Sequence, residues 1–170
     1  MGMMKKVSVA LVALMMSGLA IADGKVVVFN MQAAIIQTDA AKKSLQALDA
    51  DAEFSQMKAK FEGLRADLLS LDKDAKTNSV TWSNEQKAEH RKKVEYKSAD
   101  IKLAAEKLKA ERNAVVQRIM QELGPKAKAA LNEVVTAEGL GLVLDSSVAY
   151  WANASYDITA KVTDKLNKQK

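Results

Sequence analysis

Five cations within one short stretch, Lys87, Arg91, Lys92, Lys93 and Lys97, are the side chains here most able to do chemistry. At helical spacing several of them share a face, and a polybasic face attracts carboxylates, phosphates and anionic lipid head groups. The plainest use of such a face is solvation, and the sharper one is contact with acidic partners or an anionic surface. The other candidates lack the partners their chemistry needs. His90, the single histidine, stands among Glu89, Arg91 and Lys92, with no second histidine or cysteine to share a metal or a proton. Asp145 precedes Ser146-Ser147, the composition of a capped turn rather than of a general acid. Gly139-Leu140-Gly141 lacks the rest of a dinucleotide loop, and no phosphate-binding loop occurs, which argues against nucleotide-driven work. The chain has no cysteine, which rules out thiol and most zinc chemistry. No catalytic, metal-ligating or cofactor-binding residue is therefore assigned, no cofactor is expected, and the chain does not read as an enzyme.

The first 22 residues have the form of a secretory signal: Lys5 and Lys6, an apolar run from Val7 to Met16, then small residues ending Leu19-Ala20-Ile21-Ala22. The apolar run is too short to cross about 30 Å of hydrocarbon, so cleavage after Ala22 is expected rather than anchoring. Removing 22 of 170 residues leaves 148, one domain by length, with no later segment long enough to span a membrane. Loss of Lys5 and Lys6 takes the formal charge from +5 to +3. A mild basic excess of this size favours acidic partners. Nucleic acid would bind such a surface through its phosphates, but export excludes that role in the cell.

The elements that must position these cations are helices. Between Ala40 and Ala137 there is one proline and almost no glycine, with Ala, Leu, Lys, Glu, Gln and Asp dominating. Ala47, Ala50, Phe54, Met57, Phe61, Leu64, Leu68 and Leu71 alternate spacings of three and four, the heptad pattern of a left-handed coiled coil. The polar stretch Thr77 to Asn84 predicts a turn, with Ser83 or Asn84 capping the next helix. The return helix places Val94, Ile101, Leu108 and Val115 at sevens, with Ser98, Ala105, Arg112 and Ile119 four residues after each. Tyr96, Leu103, Val116 and Met120 lie off that row and are expected to offer exposed, adaptable contacts. Charge is balanced from Ala40 to Lys76, seven of each sign, whereas Glu85 to Leu123 carries ten cations against seven acids. Gly124-Pro125 should kink or divide the return helix.

Short β-rich runs flank the helices. Lys25 to Phe29 predicts a buried strand, and Glu138-Gly139-Leu140-Gly141 stops a helix before Leu142-Val143-Leu144-Asp145 begins another. Asp145-Ser146-Ser147 before Val148-Ala149-Tyr150-Trp151 predicts a hairpin, and Asp157 should cap a last helix that aligns Ile158, Val162 and Leu166. Three short strands leave open edges, which identical subunits can close.

Val26-Val27-Val28-Phe29-Asn30-Met31, the charged helical middle, Leu142-Val143-Leu144-Asp145, Val148-Ala149-Tyr150 and Asp157-Ile158-Thr159-Ala160 resemble the Skp (OmpH-like) family of periplasmic chaperones. The resemblance implies a homotrimer in which strands from three subunits build a central β-barrel body. Each subunit extends one helical hairpin, and the arms surround a cavity that holds unfolded outer-membrane proteins without ATP.

The expected architecture is α+β and mostly α, with a coiled-coil arm over residues 40–123, its tip near 77–84, and a small body from 23–39 and 124–170 completed by trimerisation. The expected function is an ATP-independent holdase in the periplasm, and the alternative is a coiled-coil spacer or adaptor of the cell envelope. Expected partners are unfolded outer-membrane proteins, further copies of the chain, and anionic membrane lipid or lipopolysaccharide.

Overall fold

Among the described residues, each helix between Met31 and Glu138 begins at a side chain that accepts a backbone N–H. The computed structural model describes residues 24–169; the expected signal and its cleavage point after Ala22 lie outside them. β1 (Lys25–Phe29) leads to α1 (Met31–Ile36), capped by Asn30, which accepts from the Ala33 N–H at 2.8 Å. Thr38 caps α2 (Asp39–Ala50), and Asp51 caps α3 (Ala52–Asn78). α4 (Asn84–Glu138) opens with a reciprocal capping box between Ser83 and Gln86 and ends at Gly139, whose φ of 61° suits a residue without a Cβ. β2 (Leu140–Asp145), a short 3₁₀ turn (Ala154–Tyr156) and α5 (Thr159–Lys168) complete the order.

α3 and α4 form an antiparallel hairpin. At 1.5 Å per residue, the 27 residues of α3 span about 40 Å and the 55 of α4 about 80 Å. The outbound seam is as expected from Phe54 onward: Phe54 and Leu64 are buried, while Met57, Phe61, Leu68 and Leu71 are half-buried at the same spacing. Before it the expectation fails, because Ala47 and Ala50 are exposed and the helix breaks at Asp51. Asp51 ends α2 with its N–H on the Leu48 carbonyl and starts α3 by accepting from the Phe54 N–H at 2.9 Å. The return row holds in part. Val94, Ile101, Leu108, Val115 and Ala105 are half-buried and Ile119 is buried, as expected, but Lys97 and Ala104, three residues after Val94 and Ile101, join them while Ser98 and Arg112 are exposed. Lys97 reaches the Asp67 carboxylate on α3 at 2.6 Å, so its aliphatic stem occupies a place that charge alone would deny it.

Gly124-Pro125 does not divide α4. The helix runs through it, short of the one backbone bond that proline cannot donate, because Ile119, Ala127, Ala130 and Val134 are held in the core on either side. That core is where α4, α1 and α5 meet. Ile35, Ile158 and Val162 are its fully buried large side chains, and Leu45, Val115, Met120 and Leu123 pack on it from α2 and the middle of α4. Ile158, Val162 and Leu166 share the buried face of α5, as their spacing predicts. The expected cap at Asp157 is displaced by one residue: Ile158 holds the cap position without a side-chain bond, and Asp157, just before it, accepts from the Thr159 N–H at 2.8 Å.

β1 and β2 pair in parallel, Val26 against Leu142 and Phe29 against Asp145, with the arm as the connection between them. Gly141 is the extra residue where the register shifts, and it lies so close to Gly24 that a Cβ on either would meet the other's backbone at 2.5–2.6 Å. Val27 and Phe29 point into the core, whereas Val26, Leu142 and Leu144 are exposed. The expected hairpin after Asp145 is not formed. Residues 148–151 lie outside any strand, Tyr150 is fully exposed and Trp151 is 77% exposed, because a strand needs a neighbour's ladder and the single chain offers none here. β1 gains its second neighbour elsewhere: Asp157 bridges Val28, and the Ile158 N–H donates to the Val28 carbonyl at 3.0 Å.

Candidate functional site

The far end of the arm is built by one turn and one ring. α3 stops at Asn78, α4 starts at Asn84, and Trp82 lies between them with its ring centroid 4.7 Å from that of His90, tilted 41°. His90 Nε2 lies 3.0 Å from the Leu71 carbonyl oxygen on α3. His90 thus ties the two helices together near their tip, a role that its neighbours in sequence did not signal.

The structure divides the five cations. Lys93 pairs with Glu89 at 2.9 Å along α4, and Lys97 pairs with Asp67 across the hairpin. Both the hydrogen bond and the charge of Lys93 hold the Glu89 carboxyl below the usual carboxylate range. Glu85 is held low in the same way, first by its own backbone N–H and then by the Ser83 hydroxyl. Among the described residues, Lys87, Arg91 and Lys92 have no carboxylate within ion-pair distance. Lys87 and Arg91 line an open concavity of about 490 Å³ with Ser79, Trp82, Asn84 and His90.

The expected apolar contacts are not alike. Tyr96 and Leu103 are exposed, at 69% and 53%, and Leu103 faces a shallow groove formed with Met57, Lys60 and Lys107. Val116 is half-buried, and Met120 is half-buried against the body core, so neither stands clear of the fold as expected. Two exposed apolar residues of the arm were not anticipated: Leu69, at 64%, and Val80, at 91%. Leu69 is legible as a position beside Leu68 that falls off the seam. Val80 was hidden in a stretch read only as a turn. On the body, Val26, Leu142 and Leu144 share one sheet face, with the exposed Val148, Tyr150, Trp151 and Tyr156 in and after the loop that leaves β2.

Among the described residues, no group of three or more histidines and acids is placed to hold a metal ion. No helix among them is long and apolar enough to cross a membrane. Residues 25–166 match the sequence model of the family described as Outer membrane protein (OmpH-like). The chain belongs to the OmpH-like family. It is similar to a Skp-like protein of Pseudomonas aeruginosa, 26% identical over 156 residues that cover 92% of each chain. It is also similar to the crystal structure of an OmpH-like outer membrane chaperone from Caulobacter crescentus CB15, at 19% identity and a TM-score of 0.47 over 85% of each chain. Membership in the OmpH-like family brings with it a chaperone role at the level of the family. The matched span takes in the whole arm and both strands of the body.

Proposed function

We propose that the chain is an ATP-independent holdase that works in the periplasm of a Gram-negative bacterium after cleavage behind Ala22. It binds unfolded outer-membrane β-barrel proteins and keeps them from aggregating before insertion. The observation that carries this reading is the family match over residues 25–166, which spans the body and the arm together. The geometry supports it. A slender two-helix arm offers scattered apolar contacts, Leu69, Val80, Tyr96 and Leu103, beside cations without carboxylate partners. Many weak contacts of that kind hold a chain without fixing one pose, and leave it free to depart.

The body supports a second part of the proposal, that three copies join. β2 pairs with β1 along one edge only, and Val26, Leu142 and Leu144 on the sheet, with Tyr150 and Trp151 after it, leave apolar surface exposed. An open edge with an apolar face favours pairing with another copy. Residues 148–151 would then find in a neighbour the ladder that their own subunit lacks. Anionic head groups of lipid or lipopolysaccharide are further candidate partners for the exposed cations near the tip.

Static light scattering of a denatured porin diluted into buffer tests the holding role. The mature chain in excess is expected to suppress the rise in scattering without ATP. An unchanged rise, with binding to one folded partner at fixed stoichiometry, would favour an envelope spacer instead. The mass of the processed protein in solution tests assembly: three times the mature chain is expected, and a monomer would overturn the trimer.

A further inference from the structure

We infer that the concavity at the arm tip is a binding site for extended polypeptide carrying acidic residues at alternate positions beside an aromatic one. The inference deepens the holding role and rests on it for the source of the ligand. Four features of the tip lead to it. First, the concavity of about 490 Å³ contains Lys87 and Arg91 and no carboxylate, whereas three other concavities along the arm each include at least one acidic residue. Second, three nearby acids are committed elsewhere, Glu85 to Ser83, Glu89 to Lys93, and Asp72 to Lys76 at 2.7 Å, while Glu95, one turn after Arg91, lines the neighbouring concavity and not this one.

Third, Lys87 and Arg91 stand one helical turn apart, about 6 Å along the axis. In an extended chain, side chains at alternate positions point the same way and lie about 6.6 Å apart. Two acids separated by one residue therefore match the two cations, whereas adjacent acids point to opposite sides and present only one. Fourth, Trp82 forms a wall of the same concavity, and its contact with His90 holds the indole in place. A fixed indole beside two cations suits an aromatic side chain next to a carboxylate, while Ser79 and Asn84 bring polar groups that can meet a backbone. The step of about 6 Å between the two cations matches alternate side chains of an extended strand, which favours a peptide over a lipid head group.

Fluorescence anisotropy with the full mature chain tests the site. The probe is a labelled nonapeptide with aspartates at alternate positions and one phenylalanine, and the comparison is a peptide of the same composition with its aspartates adjacent. The alternating peptide is expected to bind about tenfold more tightly at low salt, with the difference shrinking as salt screens the charges. Lys87→Gln with Arg91→Gln should abolish the preference, and Lys102→Gln with Lys109→Gln on the exposed arm should leave it intact. Equal affinity for the two peptides in the unaltered protein would overturn the inference without any variant, as would a preference that survives Lys87→Gln with Arg91→Gln. So would loss of binding to phosphatidylglycerol vesicles in that double variant with peptide binding unchanged, which would mark a head-group site. The porin scattering assay on the same proteins separates the two readings. Suppression without peptide preference removes the tip site alone, and failure of the unaltered chain to suppress removes the holdase.

Discussion

The imidazole of His90 reaches across the arm to the backbone of Leu71, with Nε2 3.0 Å from the carbonyl oxygen. A carbonyl only accepts, so this nitrogen carries the proton, and the ring it belongs to also supports Trp82. One side chain thereby links α3, α4 and the turn between them. His90→Ala should leave the body unchanged and loosen the tip, by about 1 kcal/mol for the lost bond. Hydrogen exchange by mass spectrometry should show faster exchange over residues 79–84 and unchanged exchange over 25–29 and 158–166. Unaltered exchange at the tip would mean that the bond and the stacked rings contribute nothing to its order.

The close crossing of Gly24 and Gly141 leads to a second expectation. An added Cβ at position 141 would lie 2.6 Å from the Gly24 Cα, and backbone cannot turn aside as a flexible side chain can. Gly141→Ala should therefore push β1 and β2 apart at their first pair and cost about 1–3 kcal/mol. Gly63 provides the contrast. It lies inside α3 with nothing within 4 Å of an added Cβ, so Gly63→Ala should stabilise the arm by about 0.5–1 kcal/mol. Urea unfolding followed by far-ultraviolet circular dichroism measures both, and the same sign for the two variants would contradict the argument.

How far the sequence revealed this fold depended on whether a feature is local. The seam from Phe54 to Leu71, the cap at Ser83 and the stop at Gly139 are written in neighbouring residues, and all three stand as expected. Asp51 escaped notice because apolar spacing continues across it, although an aspartate that caps Phe54 is itself a local signal. The return seam was legible except near its tip, where Lys97 occupies a place normally reserved for an apolar side chain, and only Asp67, thirty residues away, makes that tolerable. Residues 148–151 have strand composition without a strand, since pairing is a property of two segments and the described residues place no second segment beside them. The tip concavity was half legible. Its cations were evident, but the division between those paired to acids and those left open required the register of the two helices.

Asp145 gives the chain a pH-dependent turn. Its carboxylate accepts from the Ser147 hydroxyl and from the Ser147 N–H, the latter at 2.8 Å, and the hydroxyl is the larger of the two influences that hold the carboxyl below the ordinary aspartate range. The folded turn therefore prefers the ionised form. Its contribution is whole at neutral pH, persists down to the ordinary aspartate range, and is lost as pH falls through the depressed value. An NMR titration of the Ser147 amide should show a midpoint below that of an unstructured aspartate. Ser147→Ala should move the midpoint upward by removing the hydroxyl, and no movement would assign the depression to something other than this contact.

Pro125 sits inside α4, where proline is ordinarily disfavoured by about 3 kcal/mol relative to alanine. It removes the N–H that would bond the Gln121 carbonyl, and its exposed ring offers the core nothing, since the buried neighbours are Ile119, Ala127, Ala130 and Val134. Stability here comes from packing on both sides of the defect. Pro125→Ala should restore the missing bond without disturbing a buried side chain, and so raise the unfolding free energy by about 1–3 kcal/mol. The midpoint of urea unfolding should rise with an unchanged slope, because the same surface is buried in both proteins. A fall in the midpoint would show that α4 depends on the ring for the path by which it leaves the body and enters the arm.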